Sequence, residues 1–588
     1  MKPISRIFIL LLLASASYVT SYAQENQSYI LHTIEKGQNL YSISKMYNVT
    51  TTDIIRLNPG CEEKIYAGQT IKIPQGQASQ KGETFHTIQA GETLYKLTTL
   101  YKVSAKAICD ANPGLSAENF RIGQVIRIPL EEEKTTASTI QPPVEQTAIQ
   151  GPVQSRCKDM HKVKRKETIF SVSREYGISE QELIAANPEL KEGMKKGQFL
   201  CIPYPNAVTL EPTQKEDLNV IPPSNSELFN KIKEAPEEIS TIKAALILPF
   251  HEEKRMVEYY EGFLMAIDSL KRTGTSIDLY VYESGKDASA INNILSKKEM
   301  QKMNIIFGPM HQQHIKPLSD FAQKNDIRLV IPFSQNSEEV FNNPSIYQIN
   351  TPQSYLYSKV YEHFTRQFPN AHVIFIEPTS PDKDKAEFIK GLKQELKSKG
   401  ISMNSVSEND TKETLKAALR SDKENIFIPT SGSNVLLIKA LPQLTMLVRE
   451  APDQRVHLFG YPEWQTYTLD HLEKFFELDV YFYSSFYMNT LFPAAIQFTN
   501  AYHKWYSKDL ISKYPNYAML GFDTGFFFLK GLSRFGSELE NNLPKMNLTP
   551  IQTGFLFERV NNWGGFINKK VFFIHFTKNF ELEKLDFE

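Results

Sequence analysis

Three stretches of the chain superimpose on one another, and a repeat of that kind limits the architecture before any other property does. They begin at His32-Thr33-Ile34, His86-Thr87-Ile88 and His161-Lys162-Val163. An Asn-Pro pair follows 26 residues after each histidine, starting at Asn58, Asn112 and Asn187. A Gly-Gln pair comes next, at Gly68-Gln69, Gly123-Gln124 and Gly197-Gln198, and each unit closes on a proline, Pro74, Pro129 or Pro203.

The periodicity inside one unit predicts a strand, two helices and a second strand. In the second unit, Phe85 to Ile88 alternates as a strand does, and Thr93 precedes the helical spacing Leu94, Leu97, Leu100, Tyr101 as an N-cap. Ser104 caps a second helix that Asn112-Pro113 ends, because proline has no amide to continue it. The β-branched run Val125 to Ile128 closes the unit.

The phrases H-T-I-x-x-G-E-T-L-Y, Y-K-V-S, N-P-G and G-Q-V-I-R-I-P of that unit resemble the LysM module, a βααβ unit that binds N-acetylglucosamine glycans such as peptidoglycan. The resemblance implies a shallow groove between the first strand-to-helix loop and the second helix-to-strand loop. Carried onto this sequence, the first loop is Gly37, Gln38, Asn39 and Leu40, then Gly91, Glu92, Thr93 and Leu94, then Lys166 with Glu167, Thr168 and Ile169. The opposing loop runs from Asn58-Pro59 toward Ile65, from Asn112-Pro113 toward Phe120, and from Asn187-Pro188 toward Met194. Leu40, Leu94, Tyr41, Tyr95 and Phe170 also fit packing at the core or groove edge. Gly91 first serves a backbone of positive φ. The recurring histidines read as strand residues, since none has a second metal ligand nearby. The third unit departs from the pattern: Lys166 replaces the loop glycine among Lys158, Lys162, Lys164, Arg165, Lys195 and Lys196, which puts glycan binding there in question.

The expected domains are a signal peptide over 1–23, modules over 29–74, 84–129 and 157–203, linkers over 130–156 and 204–240, and a large domain over 241–588. Lys2 and Arg6, the apolar run Ile7 to Leu13 and Ser21-Tyr22-Ala23 make the secretory signal, so the expected location is the periplasm or cell envelope. Both linkers are rich in proline and polar residues, and tethers are expected there. Export permits disulfides; antiparallel pairing of the third module's strands is expected to join Cys157 to Cys201, worth roughly 3 to 4 kcal/mol. Cys61 and Cys109 are expected to stay unpaired.

From Ile242 the texture becomes alternating short strands and amphipathic helices, which predicts doubly wound parallel sheets in two lobes. The ordered phrases A-L-I-L-P-F, Y-Y-E-G-F-L-M-A-I-D, I-I-F-G-P-M, I-R-L-V-I-P-F-S and Gly521-Phe522-Asp523 resemble the type I periplasmic binding proteins of the leucine/isoleucine/valine class. The fold class is thus three small α+β modules followed by a two-lobed α/β domain. The resemblance implies a ligand cleft at the strand ends, with Gln312, Ser334, Gln335, Glu463 and Asp523 as candidate contacts, and crossovers near Asn350 and Phe486. Asp523 also fits a capping role.

With 66 basic against 67 acidic residues, the net charge gives no argument for a nucleic-acid partner. No phosphate loop, G-x-S-x-G elbow, H-E-x-x-H or dinucleotide fingerprint occurs, so no enzyme, cofactor or metal is expected. His311 and His314 share a helix face without an acidic third ligand. Three readings remain open: a glycan-anchored solute-binding or sensing clamp, a wall-docked adaptor for a synthase or transporter, and an unrecognised wall hydrolase.

Overall fold

The computed structural model describes residues 29–35, 38–62, 65–66, 68–75, 83–129, 157–163, 167–176, 183–184, 187, 190, 199–203, 223–232, 235, 237–379, 384–490, 492–511 and 514–587. The signal segment, Gly37, Lys166, Pro188 and Met194 lie outside that set. The chain divides into two compact units, residues 133–222 and the remainder.

The first module runs β1 (Tyr29–Thr33), α1 (Leu40–Met46), α2 (Thr51–Leu57) and β2 (Thr70–Pro74). The second runs β3 (Glu83–Thr87), α3 (Leu94–Tyr101), α4 (Ala105–Ala111) and β4 (Val125–Pro129). In each, first and last strands pair antiparallel, His32 opposite Ile71 and His86 opposite Ile126. Each helix starts at a capping side chain: Asn39 accepts the Ser42 amide, Thr50 that of Asp53, Thr93 that of Lys96 and Ser104 that of Ala107. Gly91 adopts φ of 76°.

In the unit of residues 133–222, β5 (Cys157–Lys162) pairs antiparallel with β6 (Phe199–Pro203) after α5 (Ile169–Tyr176). Cys157 lies opposite Pro203 and Cys201 opposite Met160, so the cysteines sit on different rungs, with a bulge between Cys157 and Asp159. Such a diagonal spans ~7 to 8 Å between Cα atoms, at or beyond what a disulfide bridges without backbone movement. The two side chains lie outside the described residues, whereas Cys61 and Cys109 are free thiols. Within the stretch expected to be the second tether, a helix forms: α6 (Asn225–Ile232).

The C-terminal region makes two seven-stranded sheets. The first lobe contains β7 (Ile242–Leu248), α7 (Lys254–Lys271), β8 (Ile277–Glu283), β9 (Ile305–Phe307), β10 (Arg328–Ile331) and β11 (Ile346–Gln348), all parallel. The second contains β12 (Ala371–Glu377), β13 (Ser402–Ser407), β14 (Glu424–Pro429), β15 (Val456–Gly460) and β16 (Val480–Ser484), also parallel. The chain crosses to the second lobe after β11 and back after β16, near Asn350 and Phe486. It then builds α8 (Pro493–Tyr506) and α9 (Tyr517–Phe535), adds β17 (Phe557–Arg559) and β18 (Phe566–Asn568) to the first sheet, and crosses a third time. There β19 (Phe572–Phe576) and β20 (Leu582–Asp586) finish the second sheet antiparallel. The alternation of short strands and helices expected from Ile242 is observed from β7 to β16, but the third crossover carries no local signal in the sequence.

Helices α7 and α9 cross at two glycines. A Cβ on Gly262 would lie 1.7 Å from the Ala518 carbonyl oxygen, and one on Gly521 would lie 2.0 Å from that of Tyr259. Gly262→Ala should therefore push the helices apart and lower stability by about 1 to 3 kcal/mol, readable as a lower denaturant midpoint.

Modules 1 and 2 dock on the first lobe. Trp563, 2% exposed, belongs to the same hydrophobic cluster as Tyr47 and Ile43 of module 1 and Phe85 and Val125 of module 2. Its ring lies 5.9 Å from that of Tyr47 and 5.1 Å from that of Phe85, with the Arg127 guanidinium over it at 5.3 Å. Around this centre Gly114 donates its amide to the Asn562 carbonyl at 2.8 Å and Arg127 donates to Asn342 at 2.9 Å. Asn342 in turn donates to the Lys45 carbonyl at 3.0 Å.

Candidate glycan grooves and the strand-end cleft

Each module is held by a histidine clamp. His32 Nε2 donates to Gln38 Oε1 at 2.7 Å while its Nδ1 accepts the Tyr47 hydroxyl at 2.8 Å. The same trio recurs as His86 with Glu92 and Tyr101, at 2.7 and 2.8 Å, and as His161 with Glu167 and Tyr176, at 2.9 and 3.0 Å. Burial lowers the His32 pKa below its ordinary value, against the opposing Gln38 hydrogen bond, so the neutral ring with its proton on Nε2 fits the geometry. Burial pushes the Glu92 carboxyl up, but the Gln89 amide and the His86 ring outweigh it and hold the group below the usual range.

Gln38, Glu92 and Glu167, expected at the glycan groove, are the partners of the histidine in this clamp. Their side-chain oxygens are turned onto the histidine, and in modules 1 and 2 they also accept the Glu35 and Gln89 amides. The sequence carried the signal, because the partners fall six and fifteen residues after the histidine in all three repeats. Tyr47→Phe should leave His32 without its buried donor and cost about 1 to 2 kcal/mol, measured by equilibrium denaturation.

The repeated asparagines, expected beside the groove, are staples between the second helix and the last strand. Asn58 donates to the Ile54 and Lys72 carbonyls at 2.7 Å and accepts the Lys72 amide at 2.8 Å. Asn112, fully buried, repeats this on Ile108 and Arg127. Asn187 donates to Leu183 at 2.8 Å. Asn39, Thr93 and Thr168 are spent on local amides, those of Ser42, Lys96 and Ser171. Leu40, Ile65, Phe120 and Ile169 are left half-buried at the loops, and Pro59 and Pro113 are exposed. Leu94 differs from its counterparts in being fully buried.

At the strand ends of the first lobe, Ser334 donates to Gln312 at 2.7 Å, and Gln312 donates to the Asn336 carbonyl at 2.5 Å. Gln335 donates to Asn350 at 3.2 Å. In the second lobe Glu463 pairs with Lys385 at 2.5 Å, and Asp384 accepts the Gly432 amide at 3.2 Å. The candidates Gln312 and Ser334 thus come together, while Glu463 belongs to the opposite lobe. Asp523 is buried in α9, and its carboxylate accepts the amides of Ile551, Gln552 and Thr553, each at 2.8 Å. His314 is buried against the Lys286 carbonyl at 2.9 Å.

Fold and clamp together define a chain of three small repeated modules that precede a two-lobed α/β domain in sequence. Residues 32–74, 86–129 and 161–203 match the LysM domain family model, so the chain carries three LysM domains. Among curated proteins it is similar to the endolysin of Bacillus phage PZA, 30% identical over 16% of this chain and 36% of that protein. It is also similar to a probable N-acetylmuramoyl-L-alanine amidase of Haemophilus influenzae, 27% identical over 28% of this chain and 30% of that one. The chain spans about a third of the length of these relatives, and the likeness to amidases and autolysins covers only the LysM part. Among solved structures, a putative branched-chain amino acid ABC transporter from Rhodospirillum rubrum is 12% identical with a TM-score of 0.41, over 59% of this chain and 100% of that one. An ABC transporter substrate-binding protein from Desulfitobacterium hafniense in complex with Leu is 12% identical with a TM-score of 0.34, over the same shares. The two-lobed assignment stands on the strand orders themselves. Among the described residues, no helix is long and apolar enough to cross a membrane.

Proposed function

We propose that this chain is an exported, non-catalytic envelope protein that holds peptidoglycan-type glycan through its LysM domains and uses its C-terminal domain as a docking scaffold. The observation that carries the glycan reading is the threefold LysM match, with the half-buried Leu40, Ile65 and Ile169 left at the loops after polar neighbours have been drawn into caps, clamps and staples. Shallow apolar contacts beside backbone polar groups suit an acetamido sugar, which offers a methyl group, an amide donor and a carbonyl.

The scaffold reading is favoured over a solute clamp by the strand ends. Ser334 and Gln312 bond one another, and Lys385, Glu463, Asp384 and the Gly432 amide bond within their own lobe. A small ligand would have to break those bonds to make its own, which lowers the net gain. The partner is then a second envelope protein, such as a wall synthase or transporter, held near the glycan.

Two measurements test the reading. The full chain should co-sediment with purified sacculi and release no muropeptides from them; turnover would instead favour a hydrolase. Free amino acids and muropeptides should leave the melting of the C-terminal domain unchanged, whereas a stabilising amino acid would restore the clamp.

A further inference from the structure

The second module has an occupant. The Leu94 amide, the first of α3 and without an intrahelical acceptor, donates to Asn225 Oδ1 at 2.9 Å. From that contact α6 lays Leu228, Phe229 and Ile232 on the module's hydrophobic cluster, which includes Leu94, Leu97 and Leu115. Phe229 meets Phe120 edge to face, with ring centroids 6.4 Å apart. One short helix therefore touches both loops that flank the groove: the first through the Leu94 amide, the second through Phe120.

The other modules supply the comparison within one molecule. Leu40 and Ile169 hold the position of Leu94, and both are half-buried where Leu94 is fully buried. Three copies of one scaffold thus differ at this position, and in module 2 the chain's own helix covers it.

We propose that α6 is an intramolecular ligand of module 2, with the Asn225 carboxamide standing where an acetamido group would bond, so that glycan and helix compete for one groove. This rests on the glycan reading above and adds that module 2 is closed until the helix leaves. The chemistry of the two ligands is alike. An asparagine side chain is itself an acetamide, its carbonyl accepts the Leu94 amide, and the apolar residues of α6 cover surface that a sugar's methyl and ring faces would otherwise cover. The helix has the advantage of effective concentration, since it belongs to the same chain. A free oligosaccharide must overcome that, while a long polymer already held at modules 1 and 3 meets the groove at high local concentration. In this account module 2 engages when the protein is on the polymer and stays shut in solution.

The test uses the full chain and the tetramer of N-acetylglucosamine in calorimetric titration, with amide hydrogen exchange at Leu94 read in parallel. The parent should bind the tetramer without using module 2, and the Leu94 amide should be protected. The double variant Asn225→Ala, Phe229→Ala should lose that protection and take up one further tetramer per chain. Adding a peptide of residues 223–232 in excess should protect Leu94 again and remove the extra site. The single variant Asn225→Asp keeps an acceptor and should stay closed, which separates release of the helix from damage to the module. A parent that binds no tetramer overturns the glycan reading and the competition together. A parent that binds, with a double variant that exposes Leu94 yet binds no more, overturns the competition alone. Unchanged Leu94 exchange in the double variant overturns the occupancy.

Discussion

Trp563→Ala should detach modules 1 and 2 from the first lobe. The indole fills a site bounded by Tyr47, Phe85 and Arg127, all contributed by the modules, and it is 2% exposed. Truncating a buried tryptophan costs about 3 to 5 kcal/mol, and here most of that loss falls on docking. The Gly114 amide, bonded to the Asn562 carbonyl one residue before the tryptophan, is the reporter, and its hydrogen exchange should accelerate on the order of 100-fold or more. Trp505, 44% exposed on α8, is the control, and Trp505→Ala should move neither exchange at Gly114 nor the melting point. A Trp563→Ala protein with parent-like protection at Gly114 would show that the surrounding hydrogen bonds suffice.

Asp523→Ala should be as damaging, for an electrostatic reason. The carboxylate alone accepts three successive amides, those of Ile551, Gln552 and Thr553, and its removal strands donors that are buried or half-buried. An unpartnered buried amide costs about 1 to 3 kcal/mol, so a total loss of about 3 kcal/mol or more is expected in urea denaturation. Burial pushes the Asp523 pKa up to about 6 although the three amides pull the other way. The folded protein therefore binds the proton more tightly than the unfolded chain does. That contribution is fully present below pH about 4, the unfolded value, and is lost as pH rises toward about 6. Relative to the parent, Asp523→Asn should lack this slope between pH 4 and 6; parallel stability profiles would contradict the assignment.

Much of the architecture was legible because it is written in periodicity and punctuation. The three repeats, the Thr93 and Ser104 caps and the alternation of strands and helices from Ile242 follow from local pattern, and local pattern is what a sequence displays directly. The third crossover was not legible, since β17 to β20 are placed by pairing with strands far away in sequence. Helix α6 has a local signature, since Ser224-Asn225-Ser226-Glu227 is a capping box in which Ser224 and Glu227 each accept the other's amide. Its proline-rich surroundings masked it. The roles of the polar site residues are the least legible part. Gln38, Glu92, Asn58 and Asn112 recur at fixed positions because the module's interior needs their hydrogen bonds, and a fixed position alone does not distinguish a structural polar group from a binding one. Asp523 illustrates the same ambiguity in the large domain: it caps no helix, lying inside one that Asn516 caps, and its carboxylate holds amides about thirty residues away.

The most direct test of the glycan claim is a titration of the methyl-labelled full chain with the tetramer of N-acetylglucosamine, followed by nuclear magnetic resonance. The account predicts shifts at Leu40, Ile65 and Ile169, with Leu94 and the C-terminal lobes unmoved. Shifts confined to the lobes, or none at any module, would contradict it.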